Sequence, residues 1–107
     1  MLNGQRDYEV LNAEREVVFC VRLEIGVPYQ QGEDWQWFTM VRITDLRDAT
    51  KFESHDYFGV DALKSLVTAL FTASIRMRVW QDAYRKQGLS LTWLGDEELG
   101  FDLFWRK

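Results

Sequence analysis

The sequence predicts an α+β fold, an antiparallel sheet of about four to five strands packed on one long helix. Three observations predict it. The 16–27 run alternates apolar and polar residues at period two. Two further strand-like runs, 35–44 and 51–58, follow across short polar turns. Between Gly59 and Gly88, residues 60–86 carry apolar side chains at helical spacing. A chain of 107 residues is enough for one domain over 1–107, with strands about 6–58, the helix about 60–86 and a C-terminal strand and acidic turn about 89–105.

The elements follow in order. Residues 6–12 form a weak first strand, and 12–15 a turn in which Asn12 tolerates unusual backbone angles. In the second strand Val17, Phe19, Val21, Leu23, Ile25 and Val27 share one face, with Arg22, Glu24, Val18 and Cys20 on the other. Pro28 has no amide hydrogen and is expected to end the ladder, leaving 28–34 as a loop. The third strand is apolar on both faces (Trp37, Thr39, Val41, Ile43 against Phe38, Met40), so alternation alone does not choose its core side. The fourth, 51–58, is interrupted by Ser54 and Asp56.

Gly59 is the expected helix N-cap, with Phe58 and Leu63 at hydrophobic-staple spacing and Asp61 in the first turn. Leu63, Leu66, Val67, Leu70 and Met77 form the expected core stripe, with Ser74 on the same line. Phe71, Ile75 and Val79 widen it, as do Trp80 and Tyr84. The stripe is wider than one sheet face covers. Arg85, Lys86 and Gly88 suit the helix end. Residues 89–94 read as a further strand, and 95–100 as an acidic turn.

Composition excludes several function classes. Thirteen Lys and Arg against seventeen Asp and Glu give a net charge of −4, which disfavours a general nucleic-acid binder. Hydrophobic residues at 47% and charged residues at 28% fit a globular domain. No apolar run is long enough to span a bilayer, and the first residues lack a signal-peptide core, so no membrane role is expected. A single cysteine, Cys20, excludes an intrachain disulfide and favours a cytoplasmic setting.

No phosphate-cradling glycine loop and no zinc spacing occurs, so no metal or cofactor is expected. Cys20 and His55 alone supply too few nitrogen and sulfur ligands for zinc. Ser54, His55 and Asp56 are adjacent strand residues that alternate in direction, so they cannot form a relay with one another. Cys20 reads as a small packed residue. No catalytic residue is indicated, and the sequence favours a non-enzymatic role.

Surface character carries the rest. Five tryptophans are many for this length; Trp37 and Trp93 read as core, while Trp35 stands beside Glu33 and Asp34 as a candidate surface anchor. Asp96, Glu97, Glu98 and Asp102 form an acidic run in 88–105 that contains no lysine or arginine. Such a run serves either as solvated turn or as a steering surface for a basic partner.

The segments GVDALKSLVTAL at 59–70 and LTWLGDEELGF at 91–101 resemble an uncharacterised family of small bacterial domains, with a G-x-D-S/A-L helix start, a W-L-G turn and a G-F near the C-terminus. Gly59, Asp61, Leu63, Leu66, Trp93, Leu94, Gly95, Gly100 and Phe101 carry the match. The resemblance implies cap, core and turn roles and no catalytic residue. In size, acidity and strand-then-helix order the chain is also similar to bacterial immunity proteins. The expected function is therefore protein interaction, in its concrete form an immunity protein that binds and blocks a cognate, basic toxin through Trp35, Asp96, Glu97, Glu98 and Asp102. The alternative is a small-molecule-binding domain or enzyme with a pocket between sheet and helix. A homodimer through the wide helix is a third arrangement.

Overall fold

The computed structural model describes residues 2–32 and 36–101. Its elements are β1 (Leu2–Leu11), β2 (Val17–Gly26), β3 (Tyr29–Gln31), β4 (Gln36–Asp45), β5 (Phe52–Gly59), α1 (Ala62–Arg85) and β6 (Ser90–Thr92). All strand pairs are antiparallel. Residues 41–44 of β4 pair with β2 and with β5, and 37–38 pair with β3 and with β5. β3 therefore continues the line of β2 on the side away from β5. Pro28 interrupts that line rather than ending it, so the stretch expected as a loop contains a short strand. The sheet reads β5, β4, β2 with β3, β1, β6, and one long helix covers one face: an α+β domain with β5 as its long open edge.

Alternation decides the core side that the third run left open. Thr39, Val41, Ile43 and Asp45 of β4 are buried, and they join Val21, Leu23 and Ile25 of β2 and Tyr8 and Val10 of β1. From the other layer come Ala69, Ala73, Met77 and Tyr84, closed at one end by Leu91, Leu99 and Phe101. The Tyr8 hydroxyl donates to the Leu99 carbonyl at 2.9 Å, tying the C-terminal turn to the sheet. Trp37 and Trp93 are half-buried rather than enclosed.

The helix begins at Asp61, not at Gly59. The Asp61 backbone is extended and its carboxylate accepts the Lys64 amide at 2.7 Å, a capping bond that glycine has no side chain to make. Phe58 turns toward the open sheet face and Leu63 is 70% exposed, so the expected staple does not form.

The face that α1 buries also differs from the expected stripe. Its buried residues are Ser65, Ala69, Ala73, Ser74, Met77, Gln81 and Tyr84. Leu66 and Leu70 pack at the margin of the core, while Leu63 and Val67 are exposed. The cause is the short β5–α1 connection. A Cβ on Gly59 would lie 2.2 Å from the Ser65 amide nitrogen, so helix and strand touch there backbone to backbone. Only small side chains fit between layers so close, and Ser65 fills the contact by sharing a 2.9 Å hydrogen bond with Thr39 of β4. Apolar size gives way to fit at this end.

Gly59→Ala is expected to lower stability by about 1–3 kcal/mol, because backbone atoms must shift to admit the methyl group. Gly4→Ala, with nothing within 4 Å of the added carbon, is the near-neutral control. Urea unfolding midpoints check both.

Candidate functional site

Two polar clamps hold the second half of α1 to the sheet, and a cleft opens between them. The first is built on Glu53 of β5, whose carboxylate shares a face with His55 and Tyr57 under the helix. Arg76 donates to it twice, from Nε at 2.8 Å and Nη2 at 2.9 Å. The Trp80 indole N–H donates to the same group, and His55 Nε2 lies 2.9 Å from Oε2. Burial pushes the Glu53 carboxyl up, but the hydrogen bonds from Arg76, Trp80 and His55 outweigh it and hold the group below the usual glutamate range.

The second clamp is Asp45, the buried last residue of β4. It accepts the Arg47 amide at 2.9 Å, the Arg47 guanidinium at 3.0 Å and the Tyr84 hydroxyl at 3.1 Å. Burial pushes the Tyr84 hydroxyl well above the ordinary phenol range, and the Asp45 carboxylate adds to the shift. The Arg47 guanidinium stacks 3.8 Å from the Phe19 ring centre.

The cleft between these clamps encloses about 270 Å³, with Trp80 and Tyr84 as walls and Arg47, Lys51 and Arg76 as its cations. Its volume lies just below the usual range of ligand pockets. Both carboxylates are already occupied by donors, so the arrangement suits holding a small organic anion better than moving a proton. No group of three or more His, Cys, Asp or Glu side chains among the described residues is placed to hold a metal ion. Cys20 is half-buried on the outer face, and burial, with Asp7 and Glu9 nearby, pushes its thiol up and away from the reactive thiolate.

Of the residues expected to meet a partner, Trp35 and Asp102 lie outside the described residues. Asp96, Glu97 and Glu98 are exposed on one turn. Two of their carboxylates also shape that turn. Asp96 Oδ1 accepts the Glu98 amide at 3.0 Å, and Glu98 Oε1 accepts the Gly100 amide at 3.1 Å. Gln81 of α1 donates to the Leu91 and Glu97 carbonyls, which fastens the turn beside the helix. There Glu97 and Glu98 share a cavity of about 280 Å³ with Arg78, Arg85 and Asp82, whose carboxylate holds Arg85 at 3.0 Å, so the acidic run faces the mixed charges of the helix rather than standing alone.

The tip of this turn was missed as a site by reading the sequence. Leu94 has φ +54° and Gly95 φ +82°, between Trp93 and Asp96, which exchange backbone hydrogen bonds at 2.8 and 3.0 Å. Two central residues at positive φ make a type I′ turn, where Asn-Gly is the favoured pair. Leucine carries a steric cost there, yet Leu94 is 81% exposed and packs into no core. The signal available in the sequence was leucine, not asparagine, before Gly95. A second missed surface is an aromatic ladder on the open sheet face, Tyr29–Phe38–Phe58, with ring centres 5.9 and 6.0 Å apart. Its cross-strand stacking stabilises the β3–β4–β5 pairing whatever else it does.

The chain belongs to a family described as Domain of unknown function (DUF6968), whose model matches residues 5–103. The match spans the helix opening at 59–70 and the turn at 91–101 and takes in the strands as well. No curated protein and no solved structure matches the chain.

The Glu53 clamp has a pH signature. Because the folded-state carboxyl is held below its unfolded value, its stabilisation is complete above the unfolded glutamate pKa near ~4.3 and is lost as pH falls through the folded one. Glu53→Gln is expected to lower stability by about 1–3 kcal/mol at pH 7. The gap from wild type should narrow steadily from about pH 5 to pH 3 in urea unfolding midpoints.

Proposed function

We propose that the protein works by contact rather than turnover, as a protein-interaction domain. Its concrete form is an immunity protein in the cytoplasm that binds and blocks a cognate toxin with a basic cleft. The observation that carries this reading is Leu94: an exposed apolar side chain held in an unfavourable backbone conformation at the tip of a turn. Strain kept where no packing recovers it is characteristic of binding positions. Asp96 and Glu97, exposed beside it, would add steering toward a basic partner. An apolar anchor with a charged rim is the usual anatomy of a contact patch.

Leu94→Asn separates the functional from the structural role of this turn. Asparagine tolerates the left-handed region, so the variant should be more stable by about 0.5–1 kcal/mol in thermal or urea unfolding. If the turn is the contact site, the same variant should lose a partner protein captured from the native host. Asp96, Glu97 and Glu98 changed together to lysine should lose it too, and wild-type capture should weaken at high salt. Undiminished capture by both variants rejects this surface.

A second reading rests on the cleft between α1 and the β4–β5 turn. Trp80, Tyr84 and the cations Arg47, Lys51 and Arg76 fit a small aromatic carboxylate. Benzoate in millimolar excess should then raise the melting temperature, since a ligand of the native state at 100 times its Kd adds about 2.7 kcal/mol. Lys51→Glu should abolish the rise. No shift with benzoate or related aryl carboxylates removes the reading.

A further inference from the structure

We infer that β5 is the edge through which two copies of this chain join their sheets, paired antiparallel about a two-fold axis at His55. The inference uses none of the residues proposed for contact at the Leu94 turn. Among the described residues β5 pairs with β4 alone, so its other side is a row of open backbone groups. Sheets defend such an edge by shortness, a bulge, lysine or proline. β3 and β6 are three residues each, and the ladder of β1 is broken by register shifts at Leu2/Gly4 and Val10/Leu11. β5 has none of these defences. Phe52–Gly59 runs eight residues with no register shift against β4 and contains no lysine, arginine or proline. The carboxylate it turns under the helix, Glu53, is paired with Arg76.

The turn before the strand fixes which groups point outward. The Asp45 amide donates to the Lys51 carbonyl at 3.0 Å. Antiparallel pairing alternates from there, so Glu53, His55 and Tyr57 give their N–H and C=O to β4. Phe52, Ser54, Asp56 and Phe58 turn theirs outward. The two-fold registers that match outward groups to outward groups differ in their side chains. Centred on Asp56, the pairing sets that carboxylate against its own copy. Centred on Ser54, it sets Phe52 against Asp56 and needs Thr50 as the partner of Phe58, although the Thr50 amide is already held by Asp48 at 3.1 Å. Centred on His55, it pairs Phe52 with Phe58 of the second copy and Ser54 with its Asp56. Every outward N–H and C=O of 52–58 then finds a partner, about eight hydrogen bonds in all.

The side chains complete that register. On the open face Tyr29, Phe38 and Phe58 already stand in a cross-strand row, and Phe52 of the second copy extends it across the axis. Phe52 and Phe58 are 54% and 47% exposed in the single chain. Asp56, beside the Tyr29 hydroxyl, keeps acceptor sites for the Ser54 hydroxyl of the second copy. Beyond that serine stands Arg42 of the second copy, two strand spacings or roughly 10 Å from Asp56, a gap the two side chains span. Within its own chain Arg42 lies 5.6 Å from the Phe52 ring centre and forms no ion pair among the described residues. On the helix side Glu53 meets Tyr57, and His55 meets its copy, each imidazole 2.9 Å from its own Glu53. Aromatic meets aromatic and acid meets base when the strand is turned on itself. An isologous contact requires that self-complementarity; a strand from an unrelated protein does not.

The test uses the full chain. Sedimentation equilibrium from 1 to 200 μM is expected to show the mass rising from 12.7 kDa toward twice that value. Over the same range, amide hydrogen exchange of peptides covering 52–58 should slow several-fold. Ser54→Pro removes an outward N–H and spares the β4 ladder, so it should stay at 12.7 kDa with unchanged circular dichroism. Asp56→Lys keeps every backbone group but turns a cation toward Arg42 of the second copy, and should weaken dimerisation about tenfold. In a Cys20→Ser background, His55→Cys should form a covalent dimer with copper phenanthroline as oxidant, because the axis sets the two thiols directly opposite each other. Phe58→Cys should not, since its copies lie about 20 Å apart along the strands. A wild-type mass fixed at 12.7 kDa up to 200 μM overturns the inference. So does a dimer insensitive to both Ser54→Pro and Asp56→Lys, or self-cross-linking of Phe58→Cys as efficient as that of His55→Cys. Protection of 52–58 that appears only when another protein is added assigns the edge to a foreign strand and overturns it as well. None of these outcomes touches Leu94, so the two contacts stand or fall separately.

Discussion

The backbone contact between Gly59 and Ser65 governs much of this architecture. The chain leaves β5 and enters α1 within a few residues, so the first turns of the helix are pressed onto the sheet. At that separation a side chain larger than serine or alanine has no room, and Ser65, Ala69 and Ala73 line the buried face in consecutive turns. The helix is still rich in large apolar residues, and those excluded from the interior are turned to solvent. Exposed apolar side chains along α1 thus follow from the tight entry of the helix.

Toward the other end of the helix the buried side chains are larger, and the means of attachment changes with them. Met77 and Tyr84 reach down where alanine would leave a void. Two polar clamps do the rest. Glu53 is satisfied by Arg76, Trp80 and His55, and Asp45 by Arg47 and Tyr84, and no buried side-chain polar atom among the described residues lacks a hydrogen-bond partner. Directional bonds fix the helix rotation more strictly than apolar packing would, since a small turn of α1 breaks them together. The cleft is what remains between the clamps, with walls held rigid by the bonds that keep the helix in place.

How far this was legible in the sequence depends on which force decided each element. The β2 strand was legible because one face is buried and the other solvated, and period two records that difference in its residues. The helix span was legible because Gly59 and Gly88 bracket it. The buried face of the helix was not, because hydrophobicity ranks Leu63 and Val67 above Ser65 and Ala69, while the deciding term was steric distance set by a glycine outside the helix. The β3 strand was hidden by Pro28, which removes one ladder bond but permits pairing to resume after it. The acidic run could be read as exposed; that two of its carboxylates close their own turn needs backbone geometry, which composition does not contain.

The same geometry supports the proposed reading of contact over acid–base catalysis at the two clamps. Acid–base chemistry near neutral pH wants a carboxyl whose pKa is raised toward 7 and which has spare hydrogen-bonding capacity for substrate. Glu53 is shifted the other way and its oxygens are occupied by donors from three side chains. The oxygens of Asp45 are taken by Arg47 and Tyr84, and the Tyr84 hydroxyl is pushed further from titration. Glu53, Asp45 and Tyr84 are thus committed to holding the helix. What the fold turns to solvent includes large apolar side chains of α1 such as Leu63 and Val67, the aromatic ladder on the open sheet face and the strained leucine at the tip of a turn. Surfaces of that kind act by what they exclude from water when another protein meets them.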